Sequence, residues 1–322
     1  MSDYPRVILK SGKDQSLHRR HPWVFSGAIK KIKDGEPAEG DLVTIYDNKD
    51  QYLGTGHYQI GSIAVRMLTF EDEEINEYFF REKFKRAWRY RQHVQCIDPK
   101  NTNIFRFIHA EGDSLPGLII DFYNGIVVMQ MHSIGMFRIR HLFVKILQEI
   151  FGSQLKAVYD KSSSTLPFKA NINPKDEFLL GNAENIISDE HGYRFIINWR
   201  QGQKTGFFID QRENRKLLEN YCSGKNVLNV FGYTGGFSVY AMGGGATMVH
   251  TVDSSKHAID LTHENIALNF PDQSAHEEFA TDAFKYLEDI DQKYDVIILD
   301  PPAFAKHGNV LPNALQGYKR IN

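Results

Sequence analysis

The chain has 322 residues, a formal net charge of −2 and a sequence pI of about 6.7. That length suits two or three domains, and the near-neutral balance excludes a uniformly basic nucleic-acid binder. Two cysteines, Cys96 and Cys222, exclude a disulfide framework, and no apolar run is long enough to span a bilayer, so a cytoplasmic protein without a membrane partner is expected.

The N-terminal region is locally basic. Residues 1–33 hold eight Lys/Arg against Asp3 and Asp14, which makes a patch for a polyanion although the whole chain is not basic. Within it, Arg19-Arg20-His21-Pro22-Trp23-Val24-Phe25 mixes cations with aromatics. On a β-rich domain that mixture suits RNA, and Arg19, Arg20, His21 and Trp23 are assigned to it; the plainer alternative is a solvated basic surface. Strands are read at residues 7–9, 40–46, 52–58 and 64–70, with turns at Asp34-Gly35 and 47–50, giving a small barrel or sandwich.

An acidic run closes that unit, and the spacing of Tyr78, Phe79, Ala87, Trp88 and Tyr90 predicts a helix over 76–95. Strands follow at 104–110, 117–122, 126–131 and 157–159, with a helix over 137–151 ended by Gly152. This is a small α+β domain running to about residue 185. A hairpin is then expected, with strands 191–199 and 205–209 around a turn at Gln201-Gly202. The stretch 204–215 is too unusual for a plain hairpin. Its aromatics, Phe207 and Phe208, could flank a cofactor and its arginines, Arg212 and Arg215, could face phosphate; the plainer alternative is that at least one of the two phenylalanines is core.

From Asn226 onward, strands (226–231, 248–253, 277–280, 294–299) alternate with helices near 235–242, 255–268 and 283–289, which implies a parallel sheet. The first strand runs into Phe231-Gly232-Tyr233-Thr234-Gly235-Gly236 and then a helix, an arrangement that brings backbone N–H groups to a nucleotide-like ligand. Its glycines depart from the dinucleotide spacing, which lowers NAD as a candidate. Asn229 stands where S-adenosylmethionine (SAM) enzymes generally carry an acid. Asp253, followed by Ser254, ends the second strand and suits a ribose; its alternative is a helix N-cap. Asp282, followed by Ala283, could accept from an adenine amino group, with a plain N-cap nearly as good a reading. Asp300-Pro301-Pro302 ends the last strand on a rigid loop where open α/β sheets place ligands. There a carboxylate could meet the edge of a flipped base. These pieces point to a SAM-dependent methyltransferase acting on a nucleobase. Ala303 rather than an aromatic after the prolines weakens amino methylation.

In order, the motifs at 19–28, 111–117, 204–215, 229–237, 300–304 and 317–322 resemble the bacterial RlmI-type 23S rRNA cytosine-C5 methyltransferases. The resemblance implies a PUA-like RNA-binding domain at 1–72, a linker helix and central α+β domain at 73–188, and a Rossmann-like SAM domain at 189–322. The implied cofactor is SAM, held by Thr205, Phe208, Phe231, Tyr233, Thr234, Gly235, Gly236, Asp253, Ser254, Asp282 and Ala283. The implied partner is RNA, with a homodimer allowed and no metal. Asn229 is the residue this family carries. In the family a cysteine thiolate attacks cytosine C6, and the Asp that falls on Asp300 positions the ring edge. The family's nucleophile lies beyond residue 322, and neither Cys96 nor Cys222 matches its motif. A truncated Rossmann-like domain, inactive alone, is therefore expected. The alternatives are a base methyltransferase of other specificity and a non-catalytic RNA-binding relative.

Overall fold

The structure is a computed structural model and describes residues 4–96, 98, 100–167, 172–184, 186–272, 274–305 and 311–321. Asn322, the last residue of the final motif, lies outside them. Two compact units are present: Met1–Asp98, Asn103–Ile186 and Asn198–Phe207 form one, and Pro99–Thr102, Ile187–Ile197 and Phe208–Asn322 the other.

The first unit begins with a six-stranded sheet. Its strands are β1 (Arg6–Leu9), β2 (Trp23–Phe25), β3 (Ile29–Lys33), β4 (Leu42–Tyr46), β5 (Tyr52–Tyr58) and β6 (Ile63–Thr69), in the order β2-β6-β5-β4-β1-β3. A short helix, α1 (Gln15–His18), sits between β1 and β2 and buries Leu17. Val7, Leu9, Val24, Val43, Ile45 and Val65 fill the core. β2 and β3 were not expected, because one is three residues long and the other reads Ile-Lys-Lys-Ile-Lys.

Asn76 caps the helix α2 (Glu77–His93) by accepting from Phe79 N–H at 3.1 Å. Next come β7 (Ile104–His109), β8 (Leu118–Tyr123), β9 (Ile126–Met131), β10 (Ala157–Asp160) and β11 (Glu177–Leu180). They form a sheet ordered β11-β10-β9-β8-β7. The expected single helix over 137–151 is two: α3 (Ile134–Arg138) and α4 (Arg140–Phe151). Ser133 starts the first three residues early by accepting from Met136 N–H, and Ile139 leaves helical geometry between them. Phe84, Phe107 and Phe143 are fully buried where α2 and α4 cover this sheet.

The expected hairpin is corrected. Its strands are β12 (Ile186–Glu190) and β13 (Tyr193–Ile197), and residues 205–209 form no strand. The turn lies at His191 and Gly192, both at positive φ (51° and 85°), as a two-residue hairpin turn requires.

The second unit continues through α5 (Arg212–Glu219), β14 (Asn226–Val230), α6 (Gly236–Gly243), β15 (Met248–Asp253), α7 (Lys256–Asn269), β16 (His276–Ala280), α8 (Ala283–Glu288), β17 (Val296–Leu299) and α9 (Leu311–Ile321). The four strands pair in parallel in the order β16-β15-β14-β17. Chain order therefore runs outward from β14 to β16 and then returns to β14's other side. That reversal is the switch point at which open α/β sheets bind ligands, outside the carboxyl ends of the strands.

Candidate active site

The carboxyl ends of β14, β15, β16 and β17 lead into Phe231, Asp253, Asp282 and Asp300 respectively, so four sequence-predicted elements share one edge. The turn after β14 is held in an uncommon shape. Phe231 and Tyr233 both take positive φ (61° and 47°), which bulky residues rarely do. Such conformations persist only where the surroundings impose them.

Those surroundings are visible. Asp253 Oδ2 accepts from Tyr233 N–H at 2.9 Å, and its Oδ1 accepts from Ser255 N–H at 2.9 Å. Thr262 Oγ1 donates to the Tyr233 carbonyl at 3.0 Å, and Asn265 Nδ2 to the Thr234 carbonyl at 2.9 Å. Asn265 Oδ1 also accepts from Ile196 N–H, tying the turn to β13. The N-cap of α7 is Ser255, whose side chain accepts from Ala258 N–H, so Asp253 does not serve as that cap.

The backbone must come close here. A Cβ on Gly232 would lie 2.5 Å from Thr251 Cγ2, and one on Gly235 (φ 76°) 2.6 Å from Thr262 Cγ2. Gly236 then opens α6, and Gly235 brings no side chain to cap it. A helix start with no side-chain cap leaves its first N–H groups for a nucleoside-like ligand. Phe208 packs edge-on against Tyr233 with ring centroids 5.2 Å apart.

Several functional groups were not legible in the sequence. Glu190 is fully buried and accepts from Arg215 Nε and Nη2 at 2.8 Å, from Arg212 Nε at 3.3 Å and from the Tyr240 hydroxyl at 3.1 Å. Burial and then the neighbouring Glu190 raise the Tyr240 hydroxyl's pKa. Arg215 also donates to the Phe208 carbonyl at 2.9 Å and packs against Gly236, so this ion cluster supports both sides of the turn. It corrects the assignment of Arg212 to phosphate, because that side chain is buried against Glu190. Gln211 Nε2 donates to Asp300 Oδ2 at 3.2 Å, and Asn214 Nδ2 donates to Gln211 Oε1 at 2.7 Å. A carboxylate met by a polar helix residue gives no periodic signal that a sequence would reveal.

Asp282 is the N-cap of α8, accepting from Lys285 N–H at 3.0 Å; Ala283 is buried behind it and Ser254 is exposed. Thr205 lies in the first unit and is fully buried. Its hydroxyl donates to Asp121 and meets the Tyr123 hydroxyl at 2.9 Å, which commits it to the protein interior. Arg19, Arg20 and His21 are exposed on the first unit, with Arg20 paired to Glu71. Trp23 Nε1 donates to Glu111 at 2.8 Å, and Arg66 stacks over its ring. Cys222 is buried, donates to the Leu218 carbonyl and has its thiol pushed up to about 11 by burial and then Glu219. That is the opposite of an activated thiol.

A four-stranded parallel edge with a glycine turn, an acid after the second strand and Asp-Pro-Pro after the last defines a SAM-dependent methyltransferase. The S-adenosylmethionine-dependent methyltransferase family matches residues 116–322, and a PUA-like domain matches residues 7–70. The chain belongs to that methyltransferase family, in its RlmI-type branch. It is 37% identical to Ribosomal RNA large subunit methyltransferase I of Serratia proteamaculans, over 98% of this chain and 81% of that protein. The Escherichia coli protein of the same name is 35% identical, with the same shares covered. A crystal structure of a methyltransferase complexed with SAH matches with TM-score 0.80 and 26% identity, covering 94% of this chain and 77% of that one. The glycine cradle and Asp253 fit the cofactor the family uses.

Proposed function

We propose that this chain works on large-subunit ribosomal RNA, where the target of methylation is C5 of a cytosine. The relatives' name supports the RNA class, and the PUA-like barrel with exposed Arg19, Arg20 and His21 supports an RNA surface. The observation that carries the reading is the position of Asp300. It follows β17, the strand beside β14 at the switch point, on the same edge as the glycine turn.

Bound SAM supplies an electrophilic methyl group on a sulfonium sulfur. The protein's part is to hold the two reactants in line, since positioning is a large share of any transfer between bound groups. In this reading Asp253 accepts from the ribose hydroxyls, the 231–236 turn meets the donor through its backbone, and Phe208 and Tyr233 flank it. Asp300 accepts from the amino edge of cytosine, and Gln211 fixes its other oxygen. The family's thiolate addition to C6, which makes C5 nucleophilic, falls to neither cysteine of this chain. The barrel at 1–72 and the α+β domain at 73–188 bind the RNA whose base the 189–322 domain methylates, and an rRNA substrate sets the reaction in the cytoplasm.

The test is the nucleoside content of ribosomal RNA from cells with and without the intact gene, read by mass spectrometry. Loss of one 5-methylcytidine supports the reading. An unchanged 5-methylcytidine content, or loss of another methylated nucleoside, contradicts it.

A further inference from the structure

We propose that His276 is a positioning residue for the cofactor turn, acting through a one-way relay of hydrogen bonds that makes Asn229 and His276 a matched pair. The relay lies beneath Gly232 and crosses three strands. Asn229 Nδ2 meets Ser238 Oγ at 2.9 Å, Ser238 Oγ meets Thr251 Oγ1 at 2.6 Å, and Thr251 Oγ1 meets His276 Nε2 at 2.8 Å. His276 Nδ1 faces Glu278 Oε2 at 2.9 Å. Asn229, Ser238 and Thr251 are at most 1% exposed, and so is the His276 side chain, so water does not substitute for a missing partner.

Asn229 Nδ2 donates at one end of the relay, and at the other the Glu278 carboxylate 2.9 Å from Nδ1 favours a proton on that nitrogen by charge. In the neutral ring Nε2 then accepts, and it takes the Thr251 hydroxyl proton. Thr251 in turn accepts from Ser238, and Ser238 accepts from Asn229. Only a residue that donates can complete the far end, which is a physical reason for an amide at 229 rather than an acid. The last link lies against the turn: the Asn229 Nδ2 atom would sit 3.0 Å from a Cβ on Gly232, and Thr251 Cγ2 closer still.

An acid at 229 reverses the relay. Ser238 would donate to it, Thr251 would donate to Ser238, and Thr251 would need a proton from His276 Nε2. With Nδ1 still protonated beside the Glu278 carboxylate, His276 becomes an imidazolium. The other groups around it are His250 on β15, paired with Glu277, and His263 on α7, paired with Glu278. Burial, and then His250 and His263, push the native His276 down to about 4, in keeping with a neutral ring.

The test is ring ¹⁵N NMR of His276 at pH 7, with calorimetric binding of S-adenosylhomocysteine. The wild-type ring is expected neutral with its proton on Nδ1. In Asn229→Asp it is expected charged, with affinity about tenfold weaker at pH 8.5 than at pH 6.5. Adding Thr251→Val cuts the relay and should return the ring to neutral. A wild-type proton on Nε2, or a neutral ring in Asn229→Asp, overturns the proposal; if that variant does not fold, the wild-type tautomer decides. The NMR needs no RNA, so its result is independent of the cytosine reading.

Discussion

Asp253 accepts from the backbone N–H of Tyr233 at 2.9 Å, joining the end of the second parallel strand to the turn that follows the first. Tyr233 sits at φ 47°, a conformation its side chain disfavours, and this bond helps to hold it there. One carboxylate thus sets the shape of the cofactor turn from a place where it can also meet a ribose.

Gly235→Ala adds a methyl 2.6 Å from Thr262 Cγ2 at a residue with φ 76°. The strain and the clash should destabilise the protein by about 1–3 kcal/mol. Urea unfolding measures the loss, and S-adenosylhomocysteine affinity should fall in parallel. Wild-type stability and affinity together would show that the turn tolerates a side chain.

Glu190→Ala leaves Arg212 and Arg215 buried without their carboxylate. Removing one member of a buried ion cluster costs roughly 3–5 kcal/mol. Glu190→Gln keeps an acceptor for Arg215 and should cost less. If both variants unfold at the wild-type urea concentration, the cluster does not support this unit.

Acid should weaken the fold. Burial pushes both His57 and His276 down to about 4, so between pH 6.5 and about 4 the unfolded chain binds more protons than the native one. Stability conferred by the neutral rings is complete above pH 6.5 and is lost as pH falls toward 4, by about 1–3 kcal/mol per histidine. Asp160, raised to about 6 chiefly by burial, works in the opposite direction over the same range. Urea midpoints at pH 7 and pH 5 should therefore differ, with the lower midpoint at pH 5; equal midpoints in the wild type and in His57→Phe would contradict the assignment.

Arg20 pairs with Glu71 on an exposed surface, where such pairs contribute about 0–1 kcal/mol. Arg20→Ala should leave stability almost unchanged and weaken RNA binding, lowering the salt dependence by about one phosphate contact. Fluorescence anisotropy against a ribosomal RNA fragment at several salt concentrations reads both. An unchanged salt slope would remove Arg20 from the RNA surface.

The parallel sheet was legible because its strands are short apolar runs ended by Gly232, Asp253 and Asp300-Pro301. The 191–209 hairpin was misread for a local reason. Apolar residues continue through Trp199, while the turn that fixes the register is His191-Gly192. Asp253 and the glycines were visible as a spacing. Glu190, Asn265 and Gln211 were not, because each acts by meeting residues distant in sequence. Arg212 shows the limit of reading charge as exposure: its partner, Glu190, lies 22 residues upstream.

Calorimetry of S-adenosylhomocysteine with the wild type and Asp253→Ala tests the central claim most directly. The site at the carboxyl edge predicts one binding event per wild-type chain and a loss of at least about tenfold in affinity in the variant, whose turn loses its clamp and the proposed ribose acceptor. Equal affinities in a variant that folds as the wild type does would place the cofactor elsewhere.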